Sequence, residues 1–414
     1  MRAVIADAAA ARLEAPMRAK LLSLHTHPRG RPMHRKNIQY LTLLFLGQLL
    51  TAIPAFADSV DDYVRAQMSV RHIPGLVLVV QKDGQFIKKQ AYGFANVELS
   101  TPANMGSVFP LASVTKIFTA TAVYLLVQEL KLSLDDGITR LLPGLPASWN
   151  RITVLNCLSH TSGIPDIFPG SPAAAPANWI AASTQEEALT KVTGVPLLHE
   201  PGDTSTYNQT EFLLLKMIVE RISGQALEEF LSKRLFAPLR MNSAQYGDSL
   251  DVIPNRVALY MNFVPQTDRF HVERQPNGDG LPSPDGKIWN DFNLLFPTYQ
   301  HGGVGLNMSA MDLAAFDAAL GTGRVLDRQN LQLMWEPFRL NNGRSGEFAG
   351  GWDTDVLNGH RLVFHIGAGM VEYAHLIDAD LTVILLTNKQ GFNPYGFTIG
   401  VMGFFTPEVL KRKN

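Results

Sequence analysis

The hydrophobic pattern places strand-like segments near both ends of the chain and helical segments between them. Residues 75–80 read GLVLVV and are joined to residues 86–91 by a Lys-Asp-Gly turn, a pattern that predicts a β-hairpin. Further strands are predicted over residues 361–365, 372–377 and 381–387. Helices are predicted over residues 58–72, 113–130, 211–222, 225–235 and 396–410. The expected fold class is α/β (α+β): an antiparallel sheet built from both chain ends and flanked by helices.

The helix predicted over residues 113–130 is apolar on more than one face, which is typical of a buried helix. Residues 131–340 combine helices with long Pro- and Gly-rich loops, including the turn-rich loop 277–287. We therefore expect a sheet part formed by residues 58–130 and 341–414, with residues 131–340 as a mostly helical insert. A functional site is expected in a cleft between these parts.

The N-terminal segment has the pattern of a secretory signal. A basic stretch from Met33 precedes the apolar residues 41–53, and Ala55-Phe56-Ala57 supplies small residues at a cleavage site. The pattern predicts cleavage after Ala57, leaving residues 58–414 as a periplasmic or secreted bacterial protein. Since residues 1–32 precede the signal, we expect translation to start at Met33. The alternative is a membrane anchor that stays attached, and contact with a membrane is expected only in that case.

Charge and cysteine content exclude several classes of function. Residues 1–57 contain eight of the 36 basic and two of the 37 acidic residues, so the remainder carries a net charge of −7. An acidic domain without a basic block is a poor candidate for nucleic acid binding. The single cysteine, Cys157, excludes an internal disulfide and lies in an apolar run typical of a core position. No metal-ligand spacing such as HExxH is present, and neither a metal nor a cofactor is implied.

Ser113 and Lys116 lie three residues apart in LASVTK, at the start of the apolar helix. Residues at this spacing share one helix face, so the two side chains can touch. A serine hydroxyl needs a nearby base to act as a nucleophile, and a lysine acts as a base when it is desolvated. The N-terminus of the helix also supplies N–H groups suited to an oxyanion. The Ser-x-x-Lys spacing alone recurs by chance in many proteins, so the surrounding sequence determines whether it indicates a catalytic pair.

The surrounding sequence contains a series of motifs in this order: LASVTK, LKLSLDDGITRLLPG, LNCLSHTSGIPD, EPGDTSTYNQT, ISGQALEEFLSKRLFAPLRM, HGGVGLNMSAMDLAAF and FHIGAG. Together they resemble the serine β-lactamase and penicillin-binding-protein-like hydrolases, and the resemblance covers nearly all of residues 58–410. The branch that the chain most resembles contains class C β-lactamases, D-alanyl-D-alanine carboxypeptidases, D-aminopeptidases and esterases. The resemblance implies a β-lactamase/transpeptidase-like fold.

The resemblance also implies roles for individual residues. Ser113 is expected to be the nucleophile and Lys116 the base or proton relay. Tyr207, in the family's Tyr-x-Asn motif, is expected to protonate the leaving group or activate water, with a pKa lowered by the charge of Lys116. His365 and Gly367 match the family's Lys/His-x-Gly motif. There Gly367 lets a substrate approach the backbone.

The expected oxyanion site consists of the N–H groups of Ser113 and Ala368. Two positions distinguish this chain from efficient β-lactamases. Gln209 stands where the family has an asparagine that orients the acyl-amide side chain, and it is one methylene longer. His365 replaces the lysine of class C β-lactamases and resembles the carboxypeptidase, aminopeptidase and esterase members. If neutral His365 is essential, the pH profile of activity is expected to have a limb near the ordinary histidine pKa of about 6.5.

These observations predict an exported serine hydrolase that forms an acyl-enzyme on small esters or D-amino-acid and peptidoglycan-type peptides. The alternatives are a β-lactamase, and a penicillin-binding sensor or non-catalytic binder of cell-wall peptides. Small-molecule substrates are the expected partners, and the sequence predicts no oligomeric state.

Overall fold

The computed structural model describes residues 53–168, 184–248, 250–261, 288–290, 297–368 and 370–411. The chain divides into two compact units between Ala66 and Gln67, and the second unit, residues 67–414, contains the sheet and all the predicted site residues. The apolar segment up to residue 52 and the loop 277–287 lie outside the described residues. None of the described helices is both long enough and apolar enough to cross a membrane.

The strands are, in chain order, β1 (Gly75–Lys82), β2 (Gln85–Asn96), β3 (Thr101–Pro102), β4 (Val108–Pro110), β5 (Gln245–Tyr246), β6 (Tyr260–Met261), β7 (Trp289–Asn290), β8 (Leu306–Ser309), β9 (Asp353–Leu357), β10 (His360–Gly367), β11 (Val371–Leu376), β12 (Leu381–Thr387) and β13 (Lys389–Gln390). The helices are α1 (Ile53–Arg71), α2 (Thr115–Gln128), α3 (Ile138–Leu141), α4 (Val154–Leu158), α5 (Gln185–Thr193), α6 (Gln209–Ser223), α7 (Leu227–Leu231), α8 (Ala310–Gly321), α9 (Arg328–Trp335) and α10 (Tyr395–Phe405).

The main sheet joins the two ends of the chain. Among the described residues, seven strands form it in the order β3-β2-β1-β12-β11-β10-β9, and every neighbouring pair is antiparallel. Its central strand is β12, which pairs with β1 so that Val79 lies opposite Ile384. The expected antiparallel sheet built from both chain ends is therefore confirmed. Short strands of the middle region form two smaller sheets, β4-β8-β5 and β13-β6-β7.

Helices cover both faces of the main sheet. On β11, the Tyr373 hydroxyl donates to Asp317 of α8, whereas its neighbour Glu372 accepts a hydrogen bond from Thr398 of α10. Neighbouring residues of a strand point to opposite faces, so α8 and α10 lie on opposite sides. This explains why the central strands are apolar at nearly every position instead of alternating. The division into a sheet part and a helical insert stays a prediction.

Helix α2 is buried from Thr115 to Leu126, as its apolar sequence predicts. It starts later than expected, because Ser113 lies in a separate 3₁₀ turn, Ala112–Val114. The expected closing helix also ends early, at Phe405, before a 3₁₀ turn that starts at Pro407. Strand β9 was not predicted, since its mostly half-buried residues show no alternation of apolar and polar positions. Helix α1 runs through the predicted cleavage point after Ala57.

Candidate active site

Ser113 lies in the short turn between β4 and α2, and it is half-buried. The preceding residue, Ala112, has a left-handed φ of 45°, which is unusual for a residue with a side chain. The turn packs against the end of β10. A Cβ at Gly367 would lie 2.1 Å from the carbonyl oxygen of Leu111. Glycine at 367 therefore allows the end of β10, followed by Ala368, to approach the serine turn.

Lys116 is completely buried one turn into the same segment, and its ammonium group faces Ser113. The Nζ atom lies 3.4 Å from Ser113 Oγ, 2.8 Å from Gln209 Oε1 and 3.1 Å from the carbonyl oxygen of Gly303. Burial lowers the pKa of Lys116 to about 7, against the opposing charges of nearby acidic side chains. A lysine with this pKa is largely able to accept a proton near neutral pH, as a base for the serine hydroxyl must.

The phenol of Tyr207 completes the group. Lys116 Nζ lies 4.8 Å from the centre of its ring. The Tyr207 hydroxyl is buried and has no hydrogen-bond partner of normal geometry within the described part of the chain. Ser113 and Gln209 lie near it, and their polar side chains act to lower the Tyr207 pKa. Burial nevertheless raises the Tyr207 pKa well above its ordinary value. The expectation that Lys116 lowers the Tyr207 pKa is therefore wrong, and Tyr207 is a neutral phenol that can donate a proton.

Gln209 occupies the position of the family asparagine at the start of α6. Its backbone N–H donates to Asp166 Oδ1 at 3.0 Å, and its side-chain oxygen accepts the bond from Lys116. Gly303 makes room for this longer side chain, because a Cβ there would lie only 2.4 Å from Gln209 Oε1. The amide of Gln209 therefore faces Lys116 and holds it.

His365 lies on β10 beside Tyr207, with ring centres 6.1 Å apart and the rings nearly perpendicular. Its Nδ1 lies 3.1 Å from the carbonyl oxygen of Ile366 and 3.6 Å from Asp353 Oδ2. Burial, helped by the charge of Lys116, lowers the pKa of His365 to about 3. The imidazole is neutral across the physiological range, so the expected histidine limb near pH 6.5 is wrong.

Sequence reasoning missed several residues that surround these groups. Asp353 faces His365, and burial raises its pKa to about 7. Asp166 and Gly303 contact Gln209 and Lys116. Asp166 and Gly303 lie in the quoted motifs LNCLSHTSGIPD and HGGVGLNMSAMDLAAF, which signalled the family but not a contact with the lysine. In the part of the chain that the structure describes, no cluster of three or more His, Cys, Asp or Glu residues could hold a metal ion.

Cys157 is buried and unpaired on α4, and burial raises the pKa of its thiol, as fits a core residue.

In the candidate site, the structure brings together Ser113, Lys116, Tyr207, Gln209 and His365, with Gly367 packed against the serine turn.

Comparison with known proteins places this site in a family. The sequence matches the β-lactamase family model over residues 60–399. It is 28% identical to Penicillin-binding protein 4* of Bacillus subtilis (strain 168), over 78% of this chain and 69% of the relative. The chain spans about two thirds of the length of the curated relatives it matches.

Solved structures share the fold at lower identity. EstCE1, described as a hydrolase with promiscuous acyltransferase activity, is 21% identical with a TM-score of 0.66, over 87% of this chain and 100% of that chain. The D-amino acid amidase from Ochrobactrum anthropi SV3, solved with D-phenylalanine, is 23% identical with a TM-score of 0.66, over 86% and 98%. Because the family model matches residues 60–399, the chain belongs to the β-lactamase family of serine hydrolases.

Proposed function

We propose that the protein hydrolyses small esters and D-amino-acid amides or peptides through an acyl-enzyme on Ser113. The observation that carries this proposal is the convergence of a hydroxyl, an amine and a phenol. Lys116 Nζ lies 3.4 Å from Ser113 Oγ and 4.8 Å from the centre of the Tyr207 ring.

In the first half-reaction, neutral Lys116 takes the proton from Ser113 Oγ as that oxygen bonds to the substrate carbonyl carbon. The N–H groups of Ser113 and Ala368 hold the resulting oxyanion. When the tetrahedral species collapses, Tyr207 gives its proton to the departing alcohol or amine and recovers one from Lys116. The serine ester remains, and the leaving group departs neutral.

In the second half-reaction, water replaces the leaving group. Neutral Lys116 takes up the proton of the attacking water, which Tyr207 relays by passing on its own, and Lys116 returns a proton to Ser113 Oγ as the acid departs. Neutral His365 lies beside Tyr207, where it supports the phenol without adding charge. The reaction requires no redox change.

The substrate class rests on three supports. The fold neighbours include a hydrolase with acyltransferase activity and a D-amino acid amidase. His365 occupies the position at which class C β-lactamases have lysine. Gln209, whose oxygen is bound by Lys116, is one methylene longer than the family asparagine, which displaces the amide donor that would orient an acyl-amide side chain. β-Lactam hydrolysis is therefore the second candidate.

Export to the periplasm or the medium belongs to the same proposal. It is supported by the signal pattern that ends at Ala57 and by the acidic remainder of the chain. N-terminal sequencing of the protein recovered from the periplasm or medium tests it, and a mature N-terminus at Asp58 is expected. A protein retained in the cytoplasm with its N-terminus intact would contradict export.

A substrate panel tests the activity: p-nitrophenyl acetate and butyrate, D-phenylalanine amide, D-alanyl-D-alanine and nitrocefin, each with the parent and with Ser113→Ala. We expect ester or D-amide turnover that is abolished in Ser113→Ala at an unchanged melting temperature. Turnover retained in that variant would refute the nucleophile. A fluorescent penicillin separates the alternatives, since a lasting adduct without turnover of any substrate would identify a sensor.

A further inference from the structure

A buried pair of ionisable side chains lies outside the proposed catalytic group, and one of them, His160, packs on the Tyr207 ring. His160 and Glu211 are 2% and 1% exposed, and His160 Nδ1 lies 2.5 Å from Glu211 Oε2. His160 lies two residues after the end of α4, and Glu211 lies in the first turn of α6. Two ionisable side chains buried this deeply need a reason, because burying charge is costly.

The hydrogen bonds determine where the proton of this pair resides. The backbone N–H of Asn208 donates to His160 Nδ1 at 3.2 Å, so this nitrogen presents its lone pair. A bare carboxylate oxygen 2.5 Å from the same lone pair would be repelled, so the geometry points to a hydrogen on Glu211 Oε2, with the one lone pair shared between this short bond and the longer Asn208 contact. The other oxygen, Oε1, accepts from the Ser162 hydroxyl at 2.5 Å and from the Ser162 N–H at 3.2 Å. These contacts point to a neutral acid beside a neutral imidazole.

His160 holds the chain on both sides of Tyr207. Its carbonyl oxygen accepts the N–H of Thr206 at 2.7 Å, and its Nδ1 accepts the N–H of Asn208. Its ring also packs on the Tyr207 ring, with centres 4.6 Å apart. The backbone of His160 is left-handed, with a φ of 55°, and such strain persists where the surrounding contacts impose it.

The charge state of Glu211 also matters to the catalytic lysine. Burial raises the Glu211 pKa well above its ordinary value, and burial lowers that of His160. An ionised Glu211 would raise the pKa of Lys116. The other ionisable groups that act on the pair are Asp166 in the loop after α4, His365 on β10 and Cys157 on α4.

We propose that Glu211 is a positioning residue for the reaction: as a neutral acid it donates a hydrogen bond to His160, and the fixed His160 holds Tyr207 over Lys116 without adding a charge there. This inference rests on the proposed function. Sequence spacing does not show it, since the two residues are 51 positions apart and meet only in the fold.

Two substitutions at one position test the proposal. Glu211→Gln keeps a donor for His160 and an acceptor for Ser162, so we expect ester turnover within about threefold of the parent. Glu211→Leu removes the donor, and we expect kcat to fall about 10- to 100-fold with little change in KM, because a misplaced Tyr207 impairs chemistry more than binding. Glu229→Gln, an exposed partner of Lys233, serves as the control and leaves kcat unchanged.

The pH profile separates positioning from a merely structural role. If Glu211 is neutral, Glu211→Gln and the parent share the same acidic limb. If Glu211 is ionised, the amide removes a negative charge beside Lys116, and the limb moves to lower pH. Such a shift, or parental activity in Glu211→Leu, would overturn the proposal. If Glu211→Leu does not fold, the position of the acidic limb in the pH profile of Glu211→Gln tests the proposal by itself.

A measurement independent of activity separates this proposal from the proposed function. Nitrogen-15 NMR of the His160 imidazole in the intact protein is expected to show Nδ1 without a bonded hydrogen. A directly bonded Nδ1 proton would refute the proton assignment even if the enzyme is active. An inactive parent that shows the expected Nδ1 signal would leave the hydrogen-bonded pair intact and refute only the function.

Discussion

Gln209 Oε1 accepts a 2.8 Å hydrogen bond from Lys116 Nζ, so the side chain that departs from the family pattern is the one that holds the proposed base. The contact joins the first turn of α6 to the buried helix α2. An amide can occupy this position without adding charge, which leaves burial as the dominant influence on the lysine.

Replacing Gln209 by glutamate tests this relationship. Gln209→Glu keeps the shape and places a negative charge beside Lys116, which should raise the lysine pKa by about 1 to 3 units. Because the neutral lysine is the base, the acidic limb of the kcat/KM profile should move to higher pH by the same amount. An unmoved limb in a folded Gln209→Glu protein would exclude Lys116 as the titrating base.

The parent enzyme should show an acidic limb near pH 7. Activity rises as pH increases through the Lys116 pKa of about 7, because the deprotonated amine accepts the serine proton. Asp353 raises that pKa, so Asp353→Asn should move the limb to lower pH.

His365, with a pKa of about 3, does not supply the limb, and His365→Gln should keep one near pH 7. Loss of the limb in His365→Gln would contradict this assignment.

Tyr207→Phe should separate substrates by their leaving groups. Loss of a general acid costs about 10²- to 10⁴-fold for an amide, whose amine must be protonated. A p-nitrophenyl ester should lose far less in kcat/KM, which reports acylation, because nitrophenolate departs without a proton. The melting temperature should change little, since the phenol has no normal hydrogen-bond partner among the described residues. Equal losses on both substrates would argue that Tyr207 does not protonate the leaving group.

Gly303→Ala should impair catalysis through Gln209. The added Cβ would lie 2.4 Å from Gln209 Oε1 and 3.2 Å from Lys116 Nζ, so both side chains must shift. We expect kcat/KM for an ester to fall about 10- to 100-fold, by analogy with other misplaced reacting groups. The shorter side chain in Gly303→Ala/Gln209→Ser should relieve the clash, and a double-mutant cycle measures the coupling.

Gly321→Ala is the matched control, because a Cβ at this position has no neighbour within 4 Å. It should leave kcat/KM unchanged. Strictly additive effects of the Gly303 and Gln209 substitutions would show that the predicted clash does not govern activity.

The sequence predicts the main sheet well, because its central strands are apolar throughout and their bounds follow from that pattern. Strand β12 occupies the predicted residues, and β1 starts where expected at Gly75. Strand β9 has no such signal, since Asp353 and its neighbours are half-buried and mostly polar. Its position follows from pairing with β10, which a single sequence does not reveal.

The candidate site was only partly predictable for a similar reason. Ser113 and Lys116 are close in sequence, and the family motifs pointed to Tyr207 and His365. The sequence did not show which groups surround these residues and set their proton affinities. Lys116 owes its pKa to burial, while Asp166 and Asp353 act on it from distant segments. The direction of the Tyr207 shift was wrong because desolvation outweighs any effect of the lysine charge.

The pairing of β1 with β12 has a consequence for biosynthesis. Leu76 lies opposite Thr387, so the middle of the sheet joins two segments that are about 310 residues apart along the chain. Such distant pairing closes slowly, because the intervening loop must lose entropy before any contact forms. A ribosome-bound nascent chain lacking β12 has no partner for one edge of β1. Acquisition of protease resistance should therefore await the emergence of β12 from the ribosome.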